Sequence, residues 1–155
     1  MAWPSRSKIS YSHPWETSRV REQVFPAGSN TFFAEDAPHG PYSAVFEDDG
    51  ETGYFYALDT TLAEKTTLDA VPIYNAAKVV DRDRPSTLCI VWSEDGSKCA
   101  LLINGYPQAA FDFAAKRGYC RTNFPNSSHR SERGWLKSDH SWSDEAVAWL
   151  GGQSN

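Results

Sequence analysis

Residues 88–113 constrain the fold of this chain more than any other stretch, because three apolar runs there are separated by two turn signals. The signals are Asp95-Gly96 and Asn104-Gly105, and both dipeptides tolerate the positive φ angles that a type I′ hairpin turn requires. This turn twists in the same sense as the strands that it joins, so the stretch predicts a meander of three antiparallel strands. The predicted register places Trp92 opposite Cys99, Ser93 opposite Lys98 and Ile103 opposite Tyr106.

The first two of these strands, residues 88–92 and 99–103, are apolar at nearly every position. A strand with one face in water alternates apolar and polar side chains, so we expect both strands to be covered on both faces. The stretch therefore predicts a core. The side chains that we expect to be buried there are Trp92, Leu101, Ile103 and Phe111.

A second hairpin is predicted over residues 42–59, where Asp49-Gly50 is the turn signal. A turn centred on that dipeptide would place Phe46 opposite Gly53 and Val45 opposite Tyr54. Residues 60–70 mix helix-compatible side chains with several Thr. Further strands are expected at residues 23–26 and 30–35, within residues 71–80 and at residues 119–124.

The end of the chain predicts a helix. Trp142, Ala146 and Trp149 fall at positions i, i+4 and i+7, which share one stripe of a helix, and Leu150 lies beside them. Two Trp on one stripe bury enough apolar surface to hold a short helix on a sheet. The expected ends of the helix are Ser141 or Ser143 at the N-terminus and Gly151-Gly152 at the C-terminus.

These patterns predict an α+β fold of mainly antiparallel hairpins and a meander, with the C-terminal helix packed on the sheet. A β-sandwich is the alternative, because strands covered on both faces need two covers. At 155 residues the chain fits one domain, which would bury roughly 70% of its unfolded surface. We place this domain at residues 21–152 and an N-terminal arm, which has neither helix nor strand period, at residues 1–20.

The charge of the chain is unevenly distributed. The net charge is −5, but residues 1–22 carry four basic and two acidic side chains, a net charge of +2, so the remainder carries −7. An acidic domain repels phosphates, which argues against nucleic acid as a partner. The same charge favours a protein partner with a basic surface.

The three cysteines, Cys89, Cys99 and Cys120, are an odd count without CxxC spacing, and each lies in an apparent strand. We therefore expect free, buried thiols. No apolar run has the length of a signal peptide or of a membrane span, which predicts a cytoplasmic protein without a membrane partner.

Four carboxylates crowd the turn of the second hairpin: Glu47, Asp48, Asp49 and Glu51. Oxygen ligands suit Ca²⁺ or Mg²⁺, but this spacing is not that of an EF-hand loop. A hairpin turn favours Asp and Gly without any ligand. We therefore expect all four side chains to project into solvent without a metal, and no other pattern indicates a cofactor.

Cys120, His129 and His140 are the side chains from which an active site could be assembled, close in sequence to Asp139 and Asp144. A nucleophile paired with a basic imidazole is the minimum for covalent catalysis. No GxSxG, GxGxxG or HExxH motif accompanies these residues. An enzyme with a site near them is therefore the alternative to a non-catalytic protein.

Basic side chains interleaved with aromatic ones follow the meander. This mixture is typical of proteins that bind single-stranded nucleic acid, although a solvated strand edge explains it as well. The members are Lys116, Arg117, Arg121, Arg130 and Arg133, with Tyr119 and Phe124 between them.

The segments GYFYALD, WSEDG, FDF and KRGYCRTNFP, followed by the Trp-containing C-terminal helix, resemble a small uncharacterised bacterial family, one of the domain-of-unknown-function families. The resemblance covers residues 42–150 and leaves residues 1–41 outside. It implies no established activity or active site. Small acidic single-domain bacterial proteins of this type often resemble immunity proteins, which bind and silence a toxin.

We therefore predict a non-catalytic protein-binding domain, of immunity type, that engages a basic partner. Aromatic side chains would supply most of the affinity, and carboxylates would steer the partner into place. The predicted contacts are the aromatic residues Tyr54, Tyr56 and Trp135 and the acidic residues Asp48, Asp49 and Glu94.

Overall fold

The structure, a computed structural model, describes residues 20–62, 66–122, 135 and 140–152. Nine strands lie within these ranges, and the helices there are short. No helix in the described ranges is long and apolar enough to cross a membrane. The strands are β1 Gln23–Phe25, β2 Phe32–Asp36, β3 Tyr42–Asp48, β4 Thr52–Asp59, β5 Thr66–Asn75, β6 Ser86–Trp92, β7 Lys98–Ile103, β8 Tyr106–Asp112 and β9 Arg117–Cys120. A 3-10 helix spans Ala76–Lys78, and a second, Asp144–Val147, leads into α1, Ala148–Gly152.

The strands form two antiparallel sheets that share one core. Sheet A has the order β1-β6-β7-β8-β9, and sheet B has the order β2-β3-β4-β5. The ring of Phe55 in sheet B stacks on that of Phe111 in sheet A with centroids 4.8 Å apart, and Tyr42 stacks on Phe113 at 4.3 Å. Side chains from both sheets fill the space between them, so the two sheets face each other.

The central strands β6 and β7 are covered on both faces, as predicted. Ile90 and Leu101 point into the core between the sheets. Val91 and Leu102 point the other way, into a second apolar cluster that includes Leu150 of α1. Sheet B is therefore one cover and the C-terminal helix is the other. The predicted fold, mainly antiparallel strands with a helix packed on the sheet, is confirmed.

The predicted register of the meander is also confirmed. Trp92 pairs with Cys99, and Ile103 pairs with Tyr106. The Ser93 amide donates to the Lys98 carbonyl at 2.8 Å, which closes the first turn as expected. Leu101, Ile103 and Phe111 are all buried.

The burial predicted for Trp92 is wrong, because this residue ends β6 and is only half-buried. Its indole N–H donates to the carbonyl of Glu35 at 3.1 Å, across the gap between the sheets. A Trp at a strand end satisfies this donor by reaching the neighbouring sheet, which a position in the middle of the core would not permit.

The predicted register of the second hairpin is wrong by two residues. Asp48, not Phe46, lies opposite Gly53, so the two central turn residues are Gly50 and Glu51. The Asp49 carboxylate accepts the amide N–H groups of Glu51 and Thr52, at 2.9 and 2.8 Å, so Asp49 closes the turn from its first position. Gly50 has a φ of 98°, which only glycine adopts readily.

Strand β5 begins earlier than predicted, inside the segment with helix-compatible side chains, and ends before Val79. Pro72 lies within this strand. A proline cannot donate to a neighbouring strand, and it is tolerated here because β5 is the edge strand of sheet B and pairs only with β4.

The C-terminal helix is shorter than predicted. Ser143 is the N-cap by backbone conformation, but its side chain makes no capping hydrogen bond. Ala146, Trp149 and Leu150 pack on sheet A, whereas Trp142 lies before the helix and outside this stripe. The one-turn 3-10 start changes the angular spacing between residues, so the i, i+7 relation of an α-helix does not hold.

All three cysteines are free thiols in buried positions, as predicted. Burial raises the pKa of the Cys99 thiol far above its usual value. Such a thiol behaves as a small apolar side chain and not as a nucleophile.

We expect Gly53→Ala to lower the free energy of unfolding by about 1–3 kcal/mol, as overpacking of a core does. A Cβ at Gly53 would lie 2.5 Å from the ring of Tyr74, which covers this glycine from β5. Urea denaturation measures the effect. The control is Gly151→Ala in α1, where a Cβ has no atom within 4 Å, and equal losses in the two variants would contradict this account.

Candidate functional site

Asp48, predicted to project into solvent, is instead buried, with only 1% of its surface exposed. Asp48 faces inward at the end of β3 because it lies on the same face of the strand as the core residues Ala44 and Phe46. Its carboxylate accepts the amide N–H groups of Gly28 at 2.6 Å and Gly50 at 2.8 Å, and the hydroxyl of Tyr74. A buried carboxylate requires such donors, and here they come from three separate loops and strands. Asp48 is therefore a structural anchor and is removed from the predicted partner contacts.

The hydroxyl of Tyr74 is bound to this anchor. Burial, followed by the hydrogen bond to Asp48 and its charge, raises the pKa of Tyr74 well above its usual value of 10. The exposed carboxylates of the hairpin turn are Asp49 and Glu51. Backbone hydrogen bonds from Thr52 and Glu51 lower the pKa of Asp49, so this side chain carries its negative charge at neutral pH.

The outer face of sheet B carries aromatic side chains. It consists of two cross-strand rows, one running through Phe32, Glu47, Tyr54 and Pro72 and the other through Ala34, Val45, Tyr56 and Ala70.

Phe32 is 65% exposed on this outer face, at the free edge of the sheet. The half-buried rings of Tyr54 and Tyr56 stack with centroids 5.8 Å apart. Tyr56 donates its hydroxyl hydrogen to Glu47 at 3.2 Å, and burial and the Glu47 charge raise the pKa of Tyr56. Asp49 follows Asp48, which pairs with Gly53, the residue before Tyr54, so the exposed end of the hairpin lies beside the aromatic rows.

Glu94 lies at the opposite end of the two sheets. Its turn joins β6 to β7, and a Cβ on the adjacent Gly96 would meet the His39 carbonyl in the loop between β2 and β3. That loop precedes β3, whereas Asp49 follows it. Glu94 is exposed, but it does not share a surface with Tyr54, Tyr56 and Asp49.

Trp135, predicted to be a partner contact, is only 4% exposed. Its ring packs edge-on against Phe111 and Phe113, with centroids 6.1 and 5.5 Å away. A large ring that completes the core between the sheets cannot reach a partner, so Trp135 is also removed from the predicted contacts. The polar sequence on both sides of it gave no signal of burial.

A histidine and a carboxylate close the open side between β5 and β9. Nε2 of His140 lies 3.0 Å from Oδ2 of Asp69, which is 5% exposed. The carbonyl of His140 accepts the amide of Cys120 at 2.8 Å, so the chain at this point binds the free edge of β9. Gly118 leaves room for Asp69, because a Cβ there would lie 2.6 Å from the carboxylate. No pattern in the sequence points to Asp69, whose partner is 71 residues away.

We call the place where His140 joins Asp69 of β5 to Cys120 of β9 the seam. Only some of the residues predicted to form an active site lie together there. The backbone of Cys120 contacts that of His140, but the Cys120 thiol is 2% exposed and lies 3.0 Å from the hydroxyl of Thr122 and 3.5 Å from the carbonyl of Pro72. Burial keeps this sulfur away from a substrate. His129 lies outside the described residues. Within the described ranges, no three His, Cys, Asp or Glu side chains are grouped closely enough to hold a metal ion.

We expect Tyr74 and Tyr56 to remain protonated as the pH passes 10, where an unfolded chain ionises. Because both pKa values are raised in the folded state, the stability linked to them is fully present below pH 10 and is lost as the pH rises above it. Absorbance at 295 nm should show a normal titration for fewer tyrosines in the folded protein than in urea. Tyr74→Phe and Tyr56→Phe should leave the folded titration unchanged, and a loss of amplitude near pH 10 would contradict the assignment.

Asp69 and His140 should be energetically coupled. We expect a double-mutant cycle with Asp69→Asn and His140→Gln to give a coupling of about 0.5–3 kcal/mol, since the two side chains are in contact and Asp69 is buried. Denaturant unfolding measures it. The control cycle is the pair Arg21 and Glu35, at 2.8 Å with 60% of the Arg21 side chain exposed, where we expect about 0–1 kcal/mol. Equal couplings would mean that the buried pair has no special role in closing the seam.

Comparison with known proteins places the chain among bacterial proteins. A 39% identical stretch of 110 residues matches an uncharacterized protein of Haemophilus influenzae, over 71% of this chain and 66% of that protein. The match thus spans just under two thirds of the relative. No solved structure matches the chain. A family model described as an uncharacterized protein conserved in bacteria (DUF2251) matches residues 25–150, which extends the resemblance beyond residues 42–150 to include β2. The chain therefore belongs to the DUF2251 family of bacterial proteins, whose function is not established.

Proposed function

We propose that this protein is a non-catalytic binding domain that recognises a basic protein surface through the outer face of sheet B. Phe32, Tyr54 and Tyr56 would supply the apolar contact area. Glu47 and Asp49 would supply the charge. This set keeps three of the six contacts that the sequence predicts and leaves out Asp48, Trp135 and Glu94.

The exposed ring of Phe32 is the observation that carries this proposal. The Phe32 ring is 65% exposed on a sheet face, so most of its apolar surface stays in contact with water and contributes little to the stability of the fold. It stands in the same cross-strand row as Glu47 and Tyr54. Aromatic side chains with a polar rim are typical of the centre of protein interfaces. Val24 and Val80 are also exposed, at 59% and 56%, but neither lies in these aromatic rows.

The charge distribution supports a basic partner. The chain beyond residue 22 carries a net charge of −7, and Asp49 and Glu51 are exposed at the turn beside the aromatic rows. Opposite charge mainly accelerates association, and its effect falls steeply with ionic strength. We therefore assign the carboxylates to the association rate and the aromatic rings to the lifetime of the complex.

In its narrower form the proposal is an immunity-type role, in which the basic partner is a toxin, and the compartment is the cytoplasm. The small size and acidic charge of the chain support this form. The broader proposal requires only a basic protein surface, and identification of the captured partner separates the two.

Catalysis near Cys120, His129 and His140 is the alternative. The observation that favours it is the Asp69–His140 pair, because a buried carboxylate that orients an imidazole is part of many hydrolytic sites. Burial of the Cys120 thiol counts against it. A hydrolytic activity that disappears in His140→Ala, with binding through Phe32 undetectable, would favour the enzyme.

The experiment starts with capture of partners from the source cells at low salt, identification of the retained protein and its purification. We expect the dissociation constant, measured by calorimetry, to rise about tenfold or more in Phe32→Ala, as for an interface anchor. Asp49→Lys should mainly slow association, with an effect that shrinks at high salt.

Two matched controls keep this test specific. Val80→Ala removes an equally exposed apolar side chain outside the outer face of sheet B, and Glu94→Lys makes the same charge change as Asp49→Lys at the other end of the sheets. Both should leave the affinity unchanged. A partner whose binding is weakened equally by the controls, or by no variant, would reject this face as the binding surface.

A further inference from the structure

Two arginines, Arg117 in strand β9 and Arg121 directly after it, lie over aromatic rings. Gly118 and Cys120 face the core, so Arg117 and Tyr119 face outward, and the guanidinium of Arg117 lies 4.9 Å from the centroid of the Tyr119 ring. Arg121 follows directly after the strand. Together with Lys116, these residues form the described part of the basic and aromatic cluster in the sequence, and the proposed binding function does not use them.

The side chain of Arg121 is held from three sides. Its guanidinium lies 4.3 Å from the centroid of the Tyr106 ring and 4.2 Å from that of the Trp142 ring. Its Nε donates to the carbonyl of Pro107. The guanidinium therefore contacts two aromatic rings, and its Nε donor is used, which leaves the N–H groups of the two Nη atoms as the remaining donors.

Neither Arg117 nor Arg121 forms an ion pair with a described acidic residue, although Asp112 on β8 lies opposite Arg117 in the strand register. In the described ranges an ion pair joins Arg21 to Glu35, and Asp69 is in contact with the His140 ring. The acidic residue beside Trp142 is Asp144, and it accepts the Trp142 indole N–H at 2.9 Å without forming an ion pair with Arg121. In addition, Nε of Arg117 is buried without a hydrogen-bond partner in the described structure. Arg117 and Arg121 are thus two half-buried arginines whose charge is not paired with a described carboxylate within ion-pair distance.

We propose that the two Nη atoms of Arg121 form a binding site for an oxyanion, a phosphate or a carboxylate group, with Arg117, four residues earlier in the chain, as a second cation. A guanidinium presents parallel N–H donors that match the two oxygens of such a group. Because the rings of Tyr106 and Trp142 already fix the side chain, little rotamer freedom remains to be lost on binding. The Cα atoms of the two arginines are about 13 Å apart at the rise of an extended chain, so one small anion contacts Arg121 directly and senses Arg117 at longer range.

The acidic charge of the rest of the domain makes this site selective. General attraction of anions is absent from a domain with a charge of −7, so binding depends on the local geometry of Arg121. Lysine in this position would keep the charge but lose the planar donor pair and much of the stacking. The comparison of arginine with lysine at position 121 therefore distinguishes a site of fixed geometry from non-specific electrostatic attraction.

The test is a titration of the full chain, followed by NMR, with pyrophosphate and citrate as separate probes at constant ionic strength. The reporter is the indole N–H signal of Trp142, which is identified by its absence in Trp142→Phe. We expect saturable shifts in the wild type with at least one probe, and about tenfold weaker binding in both Arg121→Gln and Arg121→Lys, since each loses a charge-assisted donor pair. The probe that binds more tightly identifies the phosphate or the carboxylate as the preferred group.

Arg82→Gln is the matched control, because it makes the same charge change at an exposed residue of the connector before β6. It should bind the probes as the wild type does. If Arg121→Gln does not fold, Arg121→Lys carries the comparison. The proposal is overturned if neither probe shifts the Trp142 signal, if Arg121→Lys binds as tightly as the wild type, or if Arg82→Gln weakens binding to the same extent.

Discussion

The burial of β6 and β7 on both faces is the constraint on which the rest of this structure depends. Two adjacent strands with no face suited to water require two apolar covers, and the chain supplies them from distant segments. Sheet B packs on one face, and α1 packs on the other. Each cover is thin, because the helix has five residues and sheet B has four strands. Sheet B and α1 therefore depend on packing against the central strands for their stability. Burial of apolar surface on β6 and β7 is what holds the two layers together.

A second constraint is polar and acts at one end of the sheets. The carboxylate of Asp48 binds the loop between β1 and β2 through Gly28, its own turn through Gly50, and β5 through Tyr74. Without the Asp48 carboxylate, each of these groups would be a donor without an acceptor close to the core. The free-energy penalty of such an unsatisfied donor is larger than the net stabilisation that a typical hydrogen bond contributes. The ring of Tyr74 in turn requires that position 53 has no Cβ. The Asp48 side chain thereby fixes the positions of the β1–β2 loop and of the β3–β4 turn next to β5.

The sequence predicted the elements that depend on local pattern. The meander, its register, the doubly covered strands and the presence of a C-terminal helix all follow from periodicity and from dipeptides that favour turns, and all are confirmed. The predicted register of the second hairpin is wrong because the sequence around Gly50 is compatible with two turns, one centred on Asp49 and Gly50 and the other on Gly50 and Glu51. The choice between them rests on Asp48 and Tyr74, which are 26 residues apart, and a local signal contains no such information.

The same distinction explains the errors in the candidate site. Asp48 was predicted to project from a hairpin end and Trp135 was predicted to contact a partner, whereas both are buried by contacts with residues distant in sequence. Phe32 is the opposite case. Its aromatic character alone would suggest a buried side chain, but its position on the edge strand of sheet B leaves it exposed. Tyr54, Tyr56 and Asp49 were placed together correctly because they belong to one hairpin, where spacing along the chain does determine proximity.

The seam between β5 and β9 links closure of the fold to the arrangement of the surface beside it. The segment that places the His140 ring on Asp69 places the Trp142 ring on Arg121 two residues later. The position of this guanidinium thus depends on a contact made inside the seam, and a ligand on Arg121 would favour the closed arrangement by mass action. The outer face of sheet B is different, since its rings are held by neighbours on adjacent strands. The two surfaces carry opposite charge and depend on different parts of the core, so a variant that opens the seam should alter one surface and leave the other intact.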